Sequence, residues 1–195
     1  MKLALIGTHG VGKTTLAFET CSLLTKSNYN VDLVTEIARK SPFPVNAATT
    51  LEGQLWILHA QIAAELEAAQ RAPNVICDRA VLDNYCYLVN KFGRQPQLEP
   101  WLTWWMDTYS ILIGVPAYAE GITPDGFRSE DRVFQRRIET ILKELLTTDP
   151  FQKIRPHVKW LDPRERQVWG ERIFAAAIPH LNSAQPAQKS SAGQI

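Results

Sequence analysis

Residues 7–14 read Gly7-Thr8-His9-Gly10-Val11-Gly12-Lys13-Thr14: a glycine, four further residues, then Gly-Lys-Thr. Just before them, Leu3-Ala4-Leu5-Ile6 is a short apolar run suited to a buried parallel strand. The stretch from Lys13 to Leu24 then reads as a helix. A glycine-rich turn between strand and helix is built to cradle phosphate. Gly7, Gly10 and Gly12 let the backbone turn tightly and approach an anion closely. The N–H groups along Thr8, His9, Val11 and the helix start at Lys13, Thr14 and Thr15 point at the bound oxygens. The Lys13 ammonium reaches the β- and γ-phosphates, and the Thr14 hydroxyl is placed to ligate magnesium. The expected ligands are therefore ATP and Mg2+. His9, at a variable position of the loop, is assigned backbone and shape duties only.

The 195 residues are 45% hydrophobic and 21% charged, an ordinary balance for one domain with a sizeable core. A net charge of +1 gives no bulk field to attract nucleic acid or an acidic membrane, so no extended nucleic-acid surface is expected. Cys21, Cys77 and Cys86 form no Cys-x-x-Cys pair and have no zinc spacing with the histidines. They read as reduced, mostly buried thiols of a cytoplasmic protein. The chain enters a strand at once without a leader pattern, and no apolar run reaches the ~18 residues that span a bilayer.

Five apolar runs read as strands: Lys2–Ile6, Val31–Thr35, Asn74–Cys77, Ser110–Val115 and His157–Leu161. Helical patterns separate them, which argues for an α/β domain with a five-stranded parallel sheet. Ligands bind such sheets at the carboxyl ends of the strands. The stretch from Leu51 to Arg71 predicts a helix with Leu51, Leu55, Leu58, Ile62 and Leu66 on one stripe, flanked by Gln54 and Gln61. Lys91 to Pro100 reads as a loop, and Trp101, Trp104 and Trp105 open a helix-like stretch. Those tryptophans offer rings on which an aromatic acceptor could stack, and core or homodimer packing is the commoner use of such residues. The domain is expected over 1–181, with a small, polar, disordered tail over 182–195.

Two acids follow strands. Asp78, after Val75-Ile76-Cys77, stands where a phosphate loop's magnesium requires a carboxylate. A strand-end salt bridge is the plainer reading. The next residue is Arg79, suited to holding an anion or an acceptor group, where many hydrolysing ATPases place a water-activating Glu. Glu36 follows the second strand and Arg39 comes three residues later. A carboxylate there, beside the γ-phosphate, can take a proton from an attacking hydroxyl, whereas the bland alternative is a charged helix start.

Thr123-Pro124-Asp125-Gly126-Phe127-Arg128-Ser129 marks a turn before a helix. Arg128, Arg132 and Arg136 recur every four residues, so at about 100° per residue they share one face of roughly 80°. Phe134, Ile138, Ile141, Leu142 and Leu145 take the far side. Like charges at that spacing disfavour an isolated helix, and a bound polyphosphate relieves them. Arg128 and Arg132 are thus expected on a lid that neutralises charge on the transferred group and excludes water.

These motifs, in this order, resemble the P-loop kinases of small molecules, and in particular the NadR-like ribosylnicotinamide kinase group of AAA-type domains. The resemblance rests on Gly7–Thr14, Glu36–Arg39, Gln61 and Asp125–Ser129, and covers most of Met1 to about Ala177. The arrangement is also similar to deoxynucleoside and thymidylate kinases, with a carboxylate after the second strand, an acid-Arg pair after the third and an arginine-rich lid. One departure is Asp78-Arg79, where the NadR-like group tends to have Asp-Thr. The resemblance implies a P-loop NTPase fold of three αβα layers with an arginine-bearing lid helix. It implies Lys13 and Thr14 on ATP and magnesium, and Glu36 as the acceptor's base or a magnesium partner. Gln61 would touch the acceptor base, Asp78 would hold magnesium through water, Arg79 would steer the acceptor, and Arg128 and Arg132 would close over the phosphates.

The leading expectation is a kinase that moves the γ-phosphoryl group of ATP to a nucleoside-like small molecule. A nucleoside monophosphate kinase is the first alternative, with Arg39, Arg79 and Arg94 available for the acceptor phosphate. An ATP-binding or slowly hydrolysing regulatory module is the second. A guanine switch protein would carry Asn-Lys-x-Asp, and Asn90-Lys91-Phe92-Gly93 lacks that acid.

Overall fold

A computed structural model describes residues 1–45, 48–117 and 132–182. Five strands, β1 (Lys2–Ile6), β2 (Val31–Val34), β3 (Asn74–Cys77), β4 (Ile111–Gly114) and β5 (Val158–Trp160), form one sheet in the order β2-β3-β1-β4-β5. Every pairing is parallel. β1 is central, and the strand order reverses around it, so the crevice above its carboxyl end is the topological switch point.

Alternation within the strands supplies both faces of the sheet. Leu3, Leu5, Ile76, Ile111 and Ile113 pack with α1 (Lys13–Lys26) and α6 (Trp169–Ala177) on one side. Ala4, Ile6, Val34, Val75, Cys77 and Leu112 face α2 (Leu51–Arg71), α3 (Val81–Phe92) and α5 (Arg132–Leu145) on the other. The result is the expected three-layer αβα arrangement. No helix among the described residues is long and apolar enough to cross a membrane, and all three cysteines are free thiols.

β1 and β3 coincide with the apolar runs that announced them, whereas β2, β4 and β5 are shorter than theirs. Thr35, Ser110, Val115, His157 and Leu161 lie just outside the ladders, and α1 continues two residues past Leu24 to Lys26. The region expected as a loop over Lys91–Pro100 is in fact looped only from Gly93 to Leu98. α3 runs on through Phe92 and ends at Gly93, whose φ of +75° a side chain disfavours. α4 (Glu99–Met106) takes Pro100 in its first turn, where no amide hydrogen is needed. Trp105 is buried in the core, Trp101 stacks on His59 at 5.4 Å, and Trp104 faces outward. Asn182, assigned above to the tail, is tied to Asn74 by two hydrogen bonds of 3.0 and 3.1 Å. The rest of the expected tail, 183–195, lies outside the described residues.

Candidate active site

The site is assembled at the carboxyl ends of β1, β2 and β3. β1 delivers the chain into Gly7 at φ +146°, where a Cβ would sit 2.4 Å from the Val115 carbonyl oxygen. Only glycine fits that approach between β1 and the end of β4. Gly12 adopts φ +88° as the left-handed residue that starts α1.

Lys13 is buried, and its Nζ donates to the carbonyls of Gly7 (2.6 Å) and Thr8 (2.5 Å). Burial pushes its ammonium down to about 7 and Arg79 adds to that, while Asp83, Asp78 and Glu36 pull the other way. Thr14, in the first turn of α1, donates from Oγ1 to Asp78 Oδ2 at 2.6 Å. Thr15 beside it is exposed. A hydroxyl and a carboxylate in contact are hard oxygen donors that fit Mg2+. No group of three His, Cys, Asp or Glu side chains among the described residues could cage a metal, so any magnesium here would complete its shell with phosphate oxygens and water.

Glu36 lies at the end of β2, where a 3-10 turn over Ile37–Lys40 begins. Its Oε1 accepts from Arg79 Nε (3.0 Å) and Nη2 (2.7 Å), and its Oε2 accepts from Arg39 Nε (3.1 Å). Glu36 and Arg79 are both 4% exposed or less, so this is a buried ion pair in which each charge needs the other. Burial presses the Arg79 guanidinium toward neutrality. Tyr87, Glu36, Asp83 and Asp78 outweigh that and hold it charged. Arg79 also has φ +121°, rare for a side-chain-bearing residue and typical of strain kept at a working site. Its guanidinium lies over the Tyr87 ring at 5.3 Å.

Gln61 is fully buried on α2, and its Nε2 donates to Glu65 Oε1 (3.0 Å) and to the Arg79 carbonyl (3.2 Å). Arg94 is elsewhere. It forks onto Glu99 at 2.7 Å through both Nε and Nη2 and also bonds Thr148 and Asp149. It is therefore not among the residues gathered at these strand ends.

Arg132 and Arg136 stand exposed at the start of α5, a turn apart. Ile138, Ile141, Leu142 and Leu145 bury the opposite face, and Phe134 packs against the core. Arg128 and the Asp125–Ser129 segment lie outside the described residues.

Two residues of this site escaped the sequence reading. Asp83 Oδ1 accepts the Gly7 N–H at 2.7 Å and Oδ2 accepts that of Ala80 at 3.0 Å. Burial raises its carboxyl, although Lys13, Arg79 and the two amides oppose the rise. An acid three residues after Ala80, in the first turn of a helix, was the available signal. Gln135 links α5 to the phosphate loop: Thr8 Oγ1 donates to the Gln135 carbonyl and Gln135 Nε2 donates to the His9 carbonyl, each at 2.8 Å. The His9 ring completes the contact with Phe134 at 5.3 Å and with the Tyr87 hydroxyl at 3.2 Å.

Solved structures share this architecture. A deoxyadenosine kinase from M. mycoides, solved with the products dCMP and a flexible dCDP, aligns with a TM-score of 0.62 at 17% identity, over 92% of this chain and 100% of that one. The same enzyme with bound dATP gives 0.58 at 16%, over 91% and 99%. A thymidylate kinase from Candida albicans gives 0.62 at 15%, over 94% and 96%. At these identities the likeness is one of fold. No curated protein matches the chain. A family model described as "AAA domain" matches residues 2–160. That span holds the loop, all five strands and both strand-end acids, and on it the chain belongs to the AAA domain family.

Proposed function

We propose that this chain is a P-loop phosphotransferase that moves the γ-phosphoryl group of ATP to a hydroxyl of a nucleoside-like small molecule. The observation that carries the reading is Glu36, a buried carboxylate held from both sides by Arg79 and Arg39 at the strand end next to the Thr14–Asp78 pair. Its task is to accept the proton of the attacking hydroxyl as the new O–P bond forms and the bond to ADP breaks. Such a fixed base suits transfer to a bound acceptor. Arg79 orients it and offers Nη1, which has no hydrogen-bond partner among the described residues, to the acceptor. Lys13 and the loop amides bind the polyphosphate, with Arg132, joined by Arg128, closing over it. Thr14 and Asp78 would hold magnesium, which when bound would neutralise charge that develops on the phosphates. Positioning and charge do most of the work in this chemistry.

The fold neighbours, named as kinases of a nucleoside and of a nucleotide, support the class. Between the acceptors, the nucleoside reading is favoured over the monophosphate. Of three arginines considered for an acceptor phosphate, Arg94 is engaged at the α3–α4 junction and Arg79 is spent largely on Glu36.

The test is a screen of nucleosides, nucleoside monophosphates and ribosylated vitamins for ATP consumption, with product mass measured, on the wild type, Lys13→Ala and Glu36→Gln. Lys13→Ala abolishes transfer. Glu36→Gln lowers turnover at least a hundredfold with ATP affinity nearly kept. Equal losses of turnover and affinity in Glu36→Gln would refute the base assignment. ATP hydrolysis indifferent to every acceptor would favour a regulatory module.

A further inference from the structure

Glu65 takes no part in the chemistry above, yet it is among the most heavily bonded side chains of the molecule. It lies on α2 one turn after Gln61, is 1% exposed, and accepts four hydrogen bonds. Tyr109 Oη (2.6 Å) and Gln61 Nε2 (3.0 Å) donate to its Oε1, and Lys2 Nζ (2.8 Å) and Trp105 Nε1 (2.9 Å) donate to its Oε2. The Tyr109 hydroxyl receives the Val81 N–H at 3.2 Å, which leaves its own proton for Glu65. Glu65 is therefore an acceptor toward every neighbour it touches.

That arrangement dictates which way the Gln61 amide points. One hydrogen of Nε2 goes to Glu65 and the other to the Arg79 carbonyl. Turning the amide over would set its oxygen against a carboxylate and a carbonyl, with no donor for either. Both N–H groups are thus spent inside the protein, and only Oε1 is left to meet a ligand. It is buried with no partner among the described residues, an arrangement proteins rarely tolerate without a purpose. Gln61 is also placed for the task, because it grips the peptide oxygen of Arg79, whose guanidinium clamps Glu36. Two buried donors without partners, Arg79 Nη1 and Asn84 Nδ2, lie on the same β3–α3 segment.

We propose that Glu65 is a positioning residue that locks the Gln61 amide with its oxygen as the sole remaining contact, so that the site selects acceptors offering an N–H or amine donor at that point. This rests on the phosphotransferase reading above. A glutamine with a freely rotating amide reads a donor and an acceptor equally well, whereas this one reads a donor alone. Rejection of a partner lacking the matching group is strong where the site's own polar atom would be left unpaired.

The test measures kcat and KM, at saturating ATP and magnesium, for deoxyadenosine against purine deoxyriboside and deoxycytidine against its 4-deamino analogue. Removing the amine adds no bulk. Thymidine against 3-methylthymidine covers an imide donor. For whichever parent is phosphorylated, loss of the donor lowers kcat/KM at least a hundredfold in the wild type, mostly through KM. In Glu65→Gln, whose neutral amide can donate and so lets Gln61 turn, the penalty shrinks below tenfold although the parent is still used. Turnover of a parent with undiminished use of its donor-less analogue overturns this inference and leaves the phosphotransferase reading standing. Where none of the three parents is turned over, an accepted compound of the broader screen that offers no N–H or amine donor overturns this inference alone, and absence of turnover across that whole screen overturns both. A Glu65→Gln protein that folds and keeps the full penalty removes Glu65 from the account. Should that variant not fold, the comparison in the wild type still decides whether Gln61 demands a donor.

Discussion

Asp83 and Gly7 are joined by a 2.7 Å hydrogen bond in which a side-chain oxygen accepts the first amide of the phosphate loop. The other oxygen of Asp83 takes the Ala80 N–H, so one carboxylate pins the loop to the turn that presents Asp78 and Arg79. The phosphate loop and the Asp78-Arg79 turn are thereby held at a fixed separation.

Asp83→Asn keeps the shape but replaces one acceptor oxygen by an NH2 that faces an N–H. Leaving a buried amide unsatisfied costs about 1–3 kcal/mol. The expected outcome is a lower Tm by thermal denaturation and ATP affinity weaker by about tenfold in calorimetry. Unchanged affinity in a destabilised variant would confine Asp83 to the fold.

Lys13, pushed down to about 7 by burial and then by Arg79, is largely neutral at pH 8 in the free protein. The negative charge of a bound polyphosphate restores its proton. ATP binding at pH 8 should take up close to one proton per nucleotide, and affinity should fall as pH rises from about 7 toward 9. Calorimetry in buffers of different ionisation heat reads the uptake directly. Lys13→Arg, which stays charged throughout, should abolish it. The same depression affects stability. Between about 7 and the ordinary lysine value of 10.5 the unfolded chain holds more protons than the folded one, so this residue makes stability rise with pH across that window.

Gln135→Ala removes the bond to the His9 carbonyl while the Thr8 bond to the backbone of residue 135 persists. A single hydrogen bond contributes about 1 kcal/mol, so Tm falls slightly. Because the lost bond holds the arginine-bearing helix to the loop, kcat should drop by about fivefold to tenfold in steady-state kinetics. Full turnover in this variant would show that the link is not needed for closure.

Arg132→Ala touches an exposed side chain, so stability should change by less than about 0.5 kcal/mol. If the arginine serves the transferred phosphoryl group, turnover falls by roughly ten- to a hundredfold while ATP affinity stays within a factor of a few. A variant with wild-type turnover would return Arg132 to the solvent.

The sheet was legible because its signals are local. An apolar run such as Asn74–Cys77 bounded by polar residues reads as a buried strand whatever surrounds it, and Gly7–Thr14 carries its chemistry in consecutive residues. The strand ends were less legible, since β-branched Thr35 and apolar Leu161 both continue a pattern that the ladder itself abandons. The last two residues of α3, Lys91 and Phe92, were read as loop because Lys91 and Gly93 look like loop residues until the helix is seen to end on that glycine. The residues that organise the site were hardest to see. Asp83, Gln135 and Glu65 act on atoms 76, 126 and 63 positions away, and nothing in their own neighbourhoods announces the partner. Arg94 failed in the opposite sense: a basic residue near the right place in sequence was drawn off by Glu99 five positions on.

The bridge from Thr8 and His9 to Gln135 spans the two halves of the polypeptide. Anyone trimming this protein to its most recognisable portion would keep the eight-residue signature and discard the strut that braces it. Such a minimal fragment would still be picked out by pattern searches, yet its lysine loop would lack its ceiling. For engineers borrowing this scaffold, the smallest transplantable unit therefore reaches at least to the far end of α5.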